Sequence, residues 1–426
     1  MRPKICFHLL ALGVLLLALC SVGCGRAKTS GPVAVAVSNQ LAAIAAAGEP
    51  VTLEQLGRIY EMPPDAQNAA PLYAQAFAAI KTEGLNTPSF LADNQEALVL
   101  LLEAAERPLC RYPVALTNGA TVLLPHLYKI RICATLLRDE AVRQAGRGHT
   151  DSATTALLAG FRLARSLDNE PLLTSKLVQI GSLGLALDGL QESIHQRDFT
   201  DAELLRLQTA LRDAEPGVGF RRAMLGERAS LVAAFKSSDE SLAEAMAASE
   251  GGSGVPTLML RNYRSAGHLD GDFEFALTFM SNLVAVASLP YPEALDAAGG
   301  LKIPDQQTVL DGRLVVSALL LPQPARFLNK GAEAVARIRL ARAVLAVERY
   351  RLKHGGTLPA SLAEASAEFA DGIPLDPFDG QPVRYRQRPA GGYVVWSVGS
   401  DRKDDGGPIS GVEDRAPRDV GVTIGR

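Results

Sequence analysis

The chain has 426 residues, 47% hydrophobic and 21% charged, with 43 Lys+Arg against 46 Asp+Glu and a formal charge of −3. That length is enough for two or three domains with sizeable cores, and the apolar content excludes a disordered or collagen-like chain. The balanced charge excludes a protein that coats nucleic acid through bulk electrostatics.

The first element is an export signal. Arg2 and Lys4 form a basic start, residues 9–19 are almost unbroken apolar, and Ser21-Val22-Gly23 is a small-residue stretch ending at Cys24, too short for a comfortable membrane span. Gly23 followed by Cys24 resembles the bacterial lipoprotein lipobox, although Ser21 stands where that pattern prefers leucine. The resemblance implies cleavage before Cys24 and lipidation of that residue, hence an exported, membrane-anchored lipoprotein facing the periplasm. An ordinary signal peptide with an incidental cysteine is the alternative. Loss of residues 1–23 removes two positive charges and leaves −5.

Of the five cysteines, Cys6 and Cys20 leave with the signal and Cys24 takes the lipid, so only Cys110 and Cys133 remain. In an oxidising compartment they form either one disulfide or two separately buried thiols. No histidine or cysteine stands at ligand spacing from either, so they are not a metal pair.

After a linker over 24–37, residues 38–325 read as one helix after another. A helix over 68–79 follows Pro63-Pro64, with Asp65 as its cap and Leu72, Ala76 and Ala79 on one face. Helical periodicity continues over 123–145 and breaks at Gly146-Arg147-Gly148. Thr150 caps the next helix, whose Leu157, Phe161 and Ala164 share a face. Helices over 172–195 and from Thr200 through Leu211 follow. The segment 141–167 is similar to a tetratricopeptide-type hairpin, but no second copy recurs at a constant offset. The fold class is therefore mainly α, an irregular bundle or α-hairpin array. The glycine-rich stretch 250–256 reads as a flexible loop.

Residues 326–426 change character. A long helix over 327–354 carries Ala334, Ile338, Ala341, Leu345 and Leu352 on one stripe and ends at Gly355-Gly356. A short helix over 361–369 follows, then three strands over 383–386, 393–398 and 420–424. The predicted unit is a small α+β domain, one long helix on a three-stranded antiparallel sheet.

The run Glu348-Arg349-Tyr350-Arg351, His354-Gly355, Leu358-Pro359, Pro374-Leu375-Asp376-Pro377-Phe378-Asp379-Gly380, Val383-Arg384-Tyr385, Gly392-Tyr393 and Ser397-Val398-Gly399-Ser400-Asp401 resembles the globular domain of the type II secretion major pseudopilin. Order and spacing agree from near Ala334 to the C-terminus. The family's processing site and spanning helix, which run directly into that domain, have no counterpart here, and a long helical segment intervenes. The resemblance implies a reused module with protein partners in a secretion or envelope assembly.

Asp401, Asp404 and Asp405, followed by Gly406-Gly407, place three carboxylates in a turn, and a hard cation such as Ca²⁺ takes six to eight oxygens of this kind. In the pseudopilin family the corresponding loop binds calcium; Asp401 aligns best with a family ligand, and Asp404, Asp405 and Asp414 are placed less closely. Lys403 and the missing glutamate exclude an EF-hand, and a solvated Asp-Gly turn is the alternative.

No Gly-x-Ser-x-Gly elbow, His-Glu-x-x-His, phosphate-binding loop or dinucleotide fingerprint is present. His126, His149, His195, His268 and His354 are scattered, with His126 at a helix start. Acid pairs such as Asp239-Glu240 read as solvated faces. Arg384, Arg386 and Arg388 read as a charged edge strand, not a nucleic-acid site. The sequence thus predicts a non-catalytic envelope lipoprotein with protein partners and no evident small-molecule substrate. A divergent pseudopilin that keeps its N-terminal helix, and an enzyme with an unrecognised site in the helical region, are the alternatives.

Overall fold

The computed structural model describes residues 32–85, 87, 89–248, 255–408 and 419–425. The predicted export signal, Cys24, most of the glycine-rich loop and Asp414 lie outside the described residues.

The chain runs through α1 (Pro32–Ala46), α2 (Leu53–Ile59), α3 (Ala70–Ala79), α4 (Phe90–Asp93), α5 (Gln95–Ala105), α6 (Pro125–Gly146), α7 (Thr150–Arg165), α8 (Leu173–Gln196) and α9 (Asp201–Ala214). It continues with α10 (Arg221–Lys236), α11 (Asp239–Ala248), α12 (Thr257–Ser265), α13 (His268–Val286), α14 (Glu293–Ala298), α15 (Gln306–Leu310), α16 (Val315–Leu320) and α17 (Pro324–Lys353). Strands β1 (Arg384–Gln387), β2 (Tyr393–Ser397) and β3 (Val420–Ile424) form one antiparallel sheet in the order β1-β2-β3. Tyr385 faces Val395 and Val395 faces Val422 in register, and central β2 is buried along its whole length. The mainly α body followed by a long helix on a small sheet is the predicted fold class. No helix among the described residues is long and apolar enough to cross a membrane.

Local chemistry accounts for many boundaries. Thr200 accepts the Glu203 N–H while the Glu203 carboxylate accepts the Thr200 N–H, a reciprocal cap that starts α9 as predicted. Pro125 opens α6, with His126 one residue on. Gly355 and Gly356, at φ of 61° and 93°, end α17 in the left-handed region.

Other expectations are corrected where a tertiary partner wins. Asp65 opens a 3₁₀ turn instead of capping, and the Asn68 side chain takes the Ala70 N–H at 3.1 Å. Thr150 makes no cap; its hydroxyl donates to Glu203 at 3.0 Å, tying α7 to α9. The helix predicted over 361–369 is reduced to a 3₁₀ turn, Ser366–Glu368. Its Glu368 carbonyl instead accepts from Gln208 at 3.0 Å and from Arg349 at 3.2 Å. The N-terminal helix already starts at Pro32, inside the segment read as a linker.

Three large apolar clusters and two smaller ones make up the described interior. One lies among α3, α5, α6 and α7 around Tyr73 and Leu101. A second joins α1, α10, α12 and α13 to the start of α17 through Phe327 and Leu328. The third runs without interruption from Phe161, Leu187 and Leu207 in the helical body, through Ile338 and Leu345 of α17, to Tyr393, Val395 and Ile424 of the sheet. Helix α17 is therefore buried on more than the single predicted stripe, and the core crosses the 325/326 boundary. Cations along α17 pair with acids of the body: Arg339 with Glu215 at 2.7 Å, Arg349 with Asp201 at 2.8 Å, Arg337 with Asp188 at 2.5 Å.

Candidate functional sites in the acidic loop and the helical body

The sheet end of the C-terminal unit is organised by Asp376. This side chain is fully buried, and its carboxylate accepts four hydrogen bonds. They come from the Phe378 N–H at 3.0 Å, the Ser397 hydroxyl at 2.8 Å, the Val398 N–H at 2.8 Å and Arg384 Nη1 at 2.7 Å. Arg384 also pairs with Asp379. β1 is an edge strand of the sheet, but Arg384 is drawn inward onto Asp376 and does not stand as an exposed charge on that edge. Arg386 instead lies over the Trp396 ring, 5.5 Å from the centroid.

From this knot the chain enters the acidic loop. The Asp401 carboxylate accepts the Lys403 N–H at 3.1 Å. Asp404 accepts the Trp396 indole N–H at 2.8 Å and the Gly406 N–H at 3.0 Å. Asp405 is exposed. The three predicted carboxylates are thus strung along the turn, and among the described residues no group of three or more metal-ligating side chains converges. What sequence reasoning missed is Asp419, which enters β3 and folds back on the loop. It is only 9% exposed; one oxygen accepts the Gly407 N–H at 2.6 Å, and Oδ1 is buried without a hydrogen-bond partner. Burial, together with the charges of Asp404 and Asp405, pushes its carboxyl above the usual carboxylate range. A buried carboxylate that feels the charges of Asp404 and Asp405 is the feature of this loop that fits a hard cation, although no group of three metal-ligating side chains converges there among the described residues.

Cys110 and Cys133 are free thiols, so the candidate disulfide is not formed. Both pack in the apolar cluster around Tyr73, and burial pushes each thiol up to about 12. They remain protonated at neutral pH and serve as small hydrophobes.

The helical body holds a polar network that the sequence did not mark. The connector after α7 turns inward, and Glu170 is completely buried. It accepts from the Ser175 hydroxyl, contacts His126 Nε2 at 3.1 Å and takes the Tyr60 hydroxyl at 3.5 Å. His126 stacks on Tyr112 at 4.5 Å, and Arg111 sits 4.6 Å over the Tyr60 ring. Beside it, buried Lys176 donates to Gln179 at 2.6 Å and to the Gly217 carbonyl at 2.5 Å. Burial pushes its amine down to about 8, partly offset by Asp168.

Glu170 stands between Ser175 and His126 as a common acceptor. A nucleophile–base pair needs the hydroxyl and imidazole bonded to each other. The His126 side chain is 10% exposed, and none of these residues lines either of the two cavities described in the molecule. The cluster acts as a clamp joining α2, α6 and α8. In sequence, Asp168-Asn169-Glu170-Pro171 has the look of a solvated turn, and only packing reveals it as interior.

Comparison with protein-family models, curated proteins and solved structures finds no match.

Proposed function

We propose that the protein is a non-catalytic, exported lipoprotein, anchored through a lipidated Cys24 and facing the periplasm. Its C-terminal unit resembles the type II secretion pseudopilin domain and works through protein–protein contacts in a secretion or envelope assembly. The observation that carries this reading is the Asp376 knot. Motif residues separated in sequence, Asp376, Phe378, Arg384, Ser397 and Val398, meet on one buried carboxylate, which supplies a physical reason for their shared order and spacing. A filament subunit needs its long helix open to neighbouring copies. Here α17 is enclosed by the body and the sheet, which favours a fixed module over a divergent pseudopilin.

Calcium is the ion that the same reading implies for the acidic loop. Asp401, Asp404, Asp405 and Asp419 do not converge as they stand, so the loop would have to close for them to hold it, and the ion would then neutralise carboxylates whose charges oppose one another. Its role is to fasten the loop to the end of the sheet.

Mass spectrometry of the mature protein from native envelopes tests the anchor. An acylated N-terminal Cys24 is expected, and an intact N-terminus retaining residues 1–23 would turn the reading toward a divergent pseudopilin. For the metal, adding CaCl2 at a hundred times its dissociation constant contributes about 2.7 kcal/mol, a rise of several degrees in Tm. Chelation reverses it, and both Asp401→Ala and Asp419→Ala remove the response. A Tm indifferent to CaCl2 and chelator excludes structural calcium.

A further inference from the structure

Strand β1 has β2 on one side and, among the described residues, no strand on the other. At the hairpin the Arg388 N–H donates to the Gly392 carbonyl at 2.9 Å, and the register continues with Arg386 opposite Val394 and Arg384 opposite Trp396. Hydrogen-bonded and unbonded pairs alternate along an antiparallel ladder. The backbone groups of Arg384 and Arg386 therefore turn toward β2, and the N–H and C=O of Tyr385 and Gln387 turn outward. Among the described residues no hydrogen bond reaches these four outward groups.

The edge is regular and open. Four consecutive residues keep register with β2 and no bulge interrupts them. The preceding turn covers this side only as far as Val383, whose N–H donates to the Pro374 carbonyl at 3.0 Å. Leu358 and Pro359 meet the strand from its inner face: the Tyr385 hydroxyl donates to the Pro359 carbonyl at 2.8 Å, beside Tyr393, whose hydroxyl reaches Glu348 of α17 at 2.9 Å. On the opposite face Arg384 is taken by Asp376 and Asp379, and Asp404 leans on it at 3.7 Å. Arg386 is exposed over Trp396 and Arg388 is half-buried. Among the described residues neither is held in an ion pair.

We propose that β1 receives an extended acidic segment of a partner protein as a fourth, antiparallel strand. The segment's backbone pairs with Tyr385 and Gln387, strand addition at a free edge. Carboxylates at alternate positions then fall opposite Arg386 and Arg388, on the pairs not bonded to each other, where facing side chains stand closest. Antiparallel pairing continues the geometry of the whole sheet. A second copy of this chain is a poor occupant, because β1 against β1 sets arginine against arginine. The charges that turn away a like strand thus select an acidic one. The proposal rests on the reading of the C-terminal unit as a protein-binding module and names the chemistry of its partner.

The test is fluorescence anisotropy of the purified full chain with a fluorescein-labelled octapeptide of alternating threonine and aspartate. Saturable binding is expected, about tenfold or more tighter than for the threonine–lysine octapeptide. The aspartate peptide N-methylated at every threonine keeps its charge but loses the N–H groups that face the edge, and should bind about tenfold more weakly. Gln387→Pro removes one outward N–H and leaves the bonds to β2, as edge strands tolerate; it should weaken binding about tenfold, while Gln387→Ala binds as the wild type. Because the proline variant can fail to fold, the N-methylated peptide tests the same bonds on the wild-type chain. Arg386→Glu combined with Arg388→Glu should refuse the aspartate peptide and take the lysine one. No saturable binding up to millimolar concentration, equal binding of the N-methylated peptide, or equal binding of the lysine peptide overturns the proposal. So does a dimer in sedimentation velocity that Gln387→Pro dissociates, since the occupant is then a second copy. Failure to bind by a chain whose Cys24 is acylated strikes this proposal alone, and peptide binding by a chain with an intact N-terminus strikes the anchor alone.

Discussion

Asp376→Ala asks whether the C-terminal unit melts with the helical body or by itself. Alanine leaves the buried Val398 and Phe378 N–H groups and the Ser397 hydroxyl without their acceptor, and deprives Arg384 of its 2.7 Å partner. Removing one member of a buried pair costs about 3–5 kcal/mol, and each orphaned donor about 1–3 kcal/mol, terms that overlap. Arg384 is 17% exposed and keeps Asp379, so the lower half of the range applies and about 4 kcal/mol is expected in total. Asp376→Asn, which keeps volume and one acceptor oxygen, should lose about half of that. The assay is urea unfolding followed by two probes. Trp396 is the only tryptophan and sits on β2, so its fluorescence reports the sheet, while far-UV circular dichroism reports the helices. With a slope of about 3 kcal/mol/M the midpoint falls on the order of 1 M. Because the core runs unbroken from Leu207 through Leu345 to Tyr393, both probes should move together. A fluorescence transition that shifts alone refutes the continuous core, and an unchanged midpoint by both probes refutes the role given to Asp376.

Lys176 makes stability depend on pH in the alkaline range. Its amine is pushed by burial from 10.5 down to about 8, so between those values the unfolded chain holds a proton that the folded chain has released, and stability rises with pH. Lys176→Met should lose that rise, the wild type gaining about 2 kcal/mol on the variant between about pH 8 and 10 in urea melts; parallel curves would show the amine is not depressed. Gly226 on α10 lies so close to the Pro171 carbonyl that an added Cβ would stand 1.7 Å from the oxygen. Gly226→Ala should therefore cost about 1–3 kcal/mol or more in Tm-derived stability, although alanine is the better helix former; a neutral or stabilised variant would mean that α10 and the connector slide apart freely.

Much of the architecture was readable in residue order. Hydrophobic periodicity located α6, α8 and α17, Gly146-Arg147-Gly148 and Gly355-Gly356 marked their ends, and Thr200 with Glu203 identified a cap, because these signals act within one or two turns of chain. Alternation placed all three strands, and β3 agrees at both ends. The acidic residues of the loop were visible as a cluster of aspartates.

Tertiary structure alone decided the rest, and in each instance a long-range partner outweighed a local preference. Asp65 and Thr150 looked like caps, yet Asn68 and Glu203 took their places or their hydroxyls. Nothing in residue order marked Glu170 or Asp419 as special, yet folding carried both into the interior, where a carboxylate must find donors. Arg228 was equally unmarked, and only packing enclosed it at 2% exposure with Glu49 as its partner at 2.7 Å. Whether a polar group is exposed or buried is settled by elements distant in sequence. Composition and spacing therefore determined the helices, the strands and the order of motifs, while packing determined which charges are enclosed and which cysteines remain thiols.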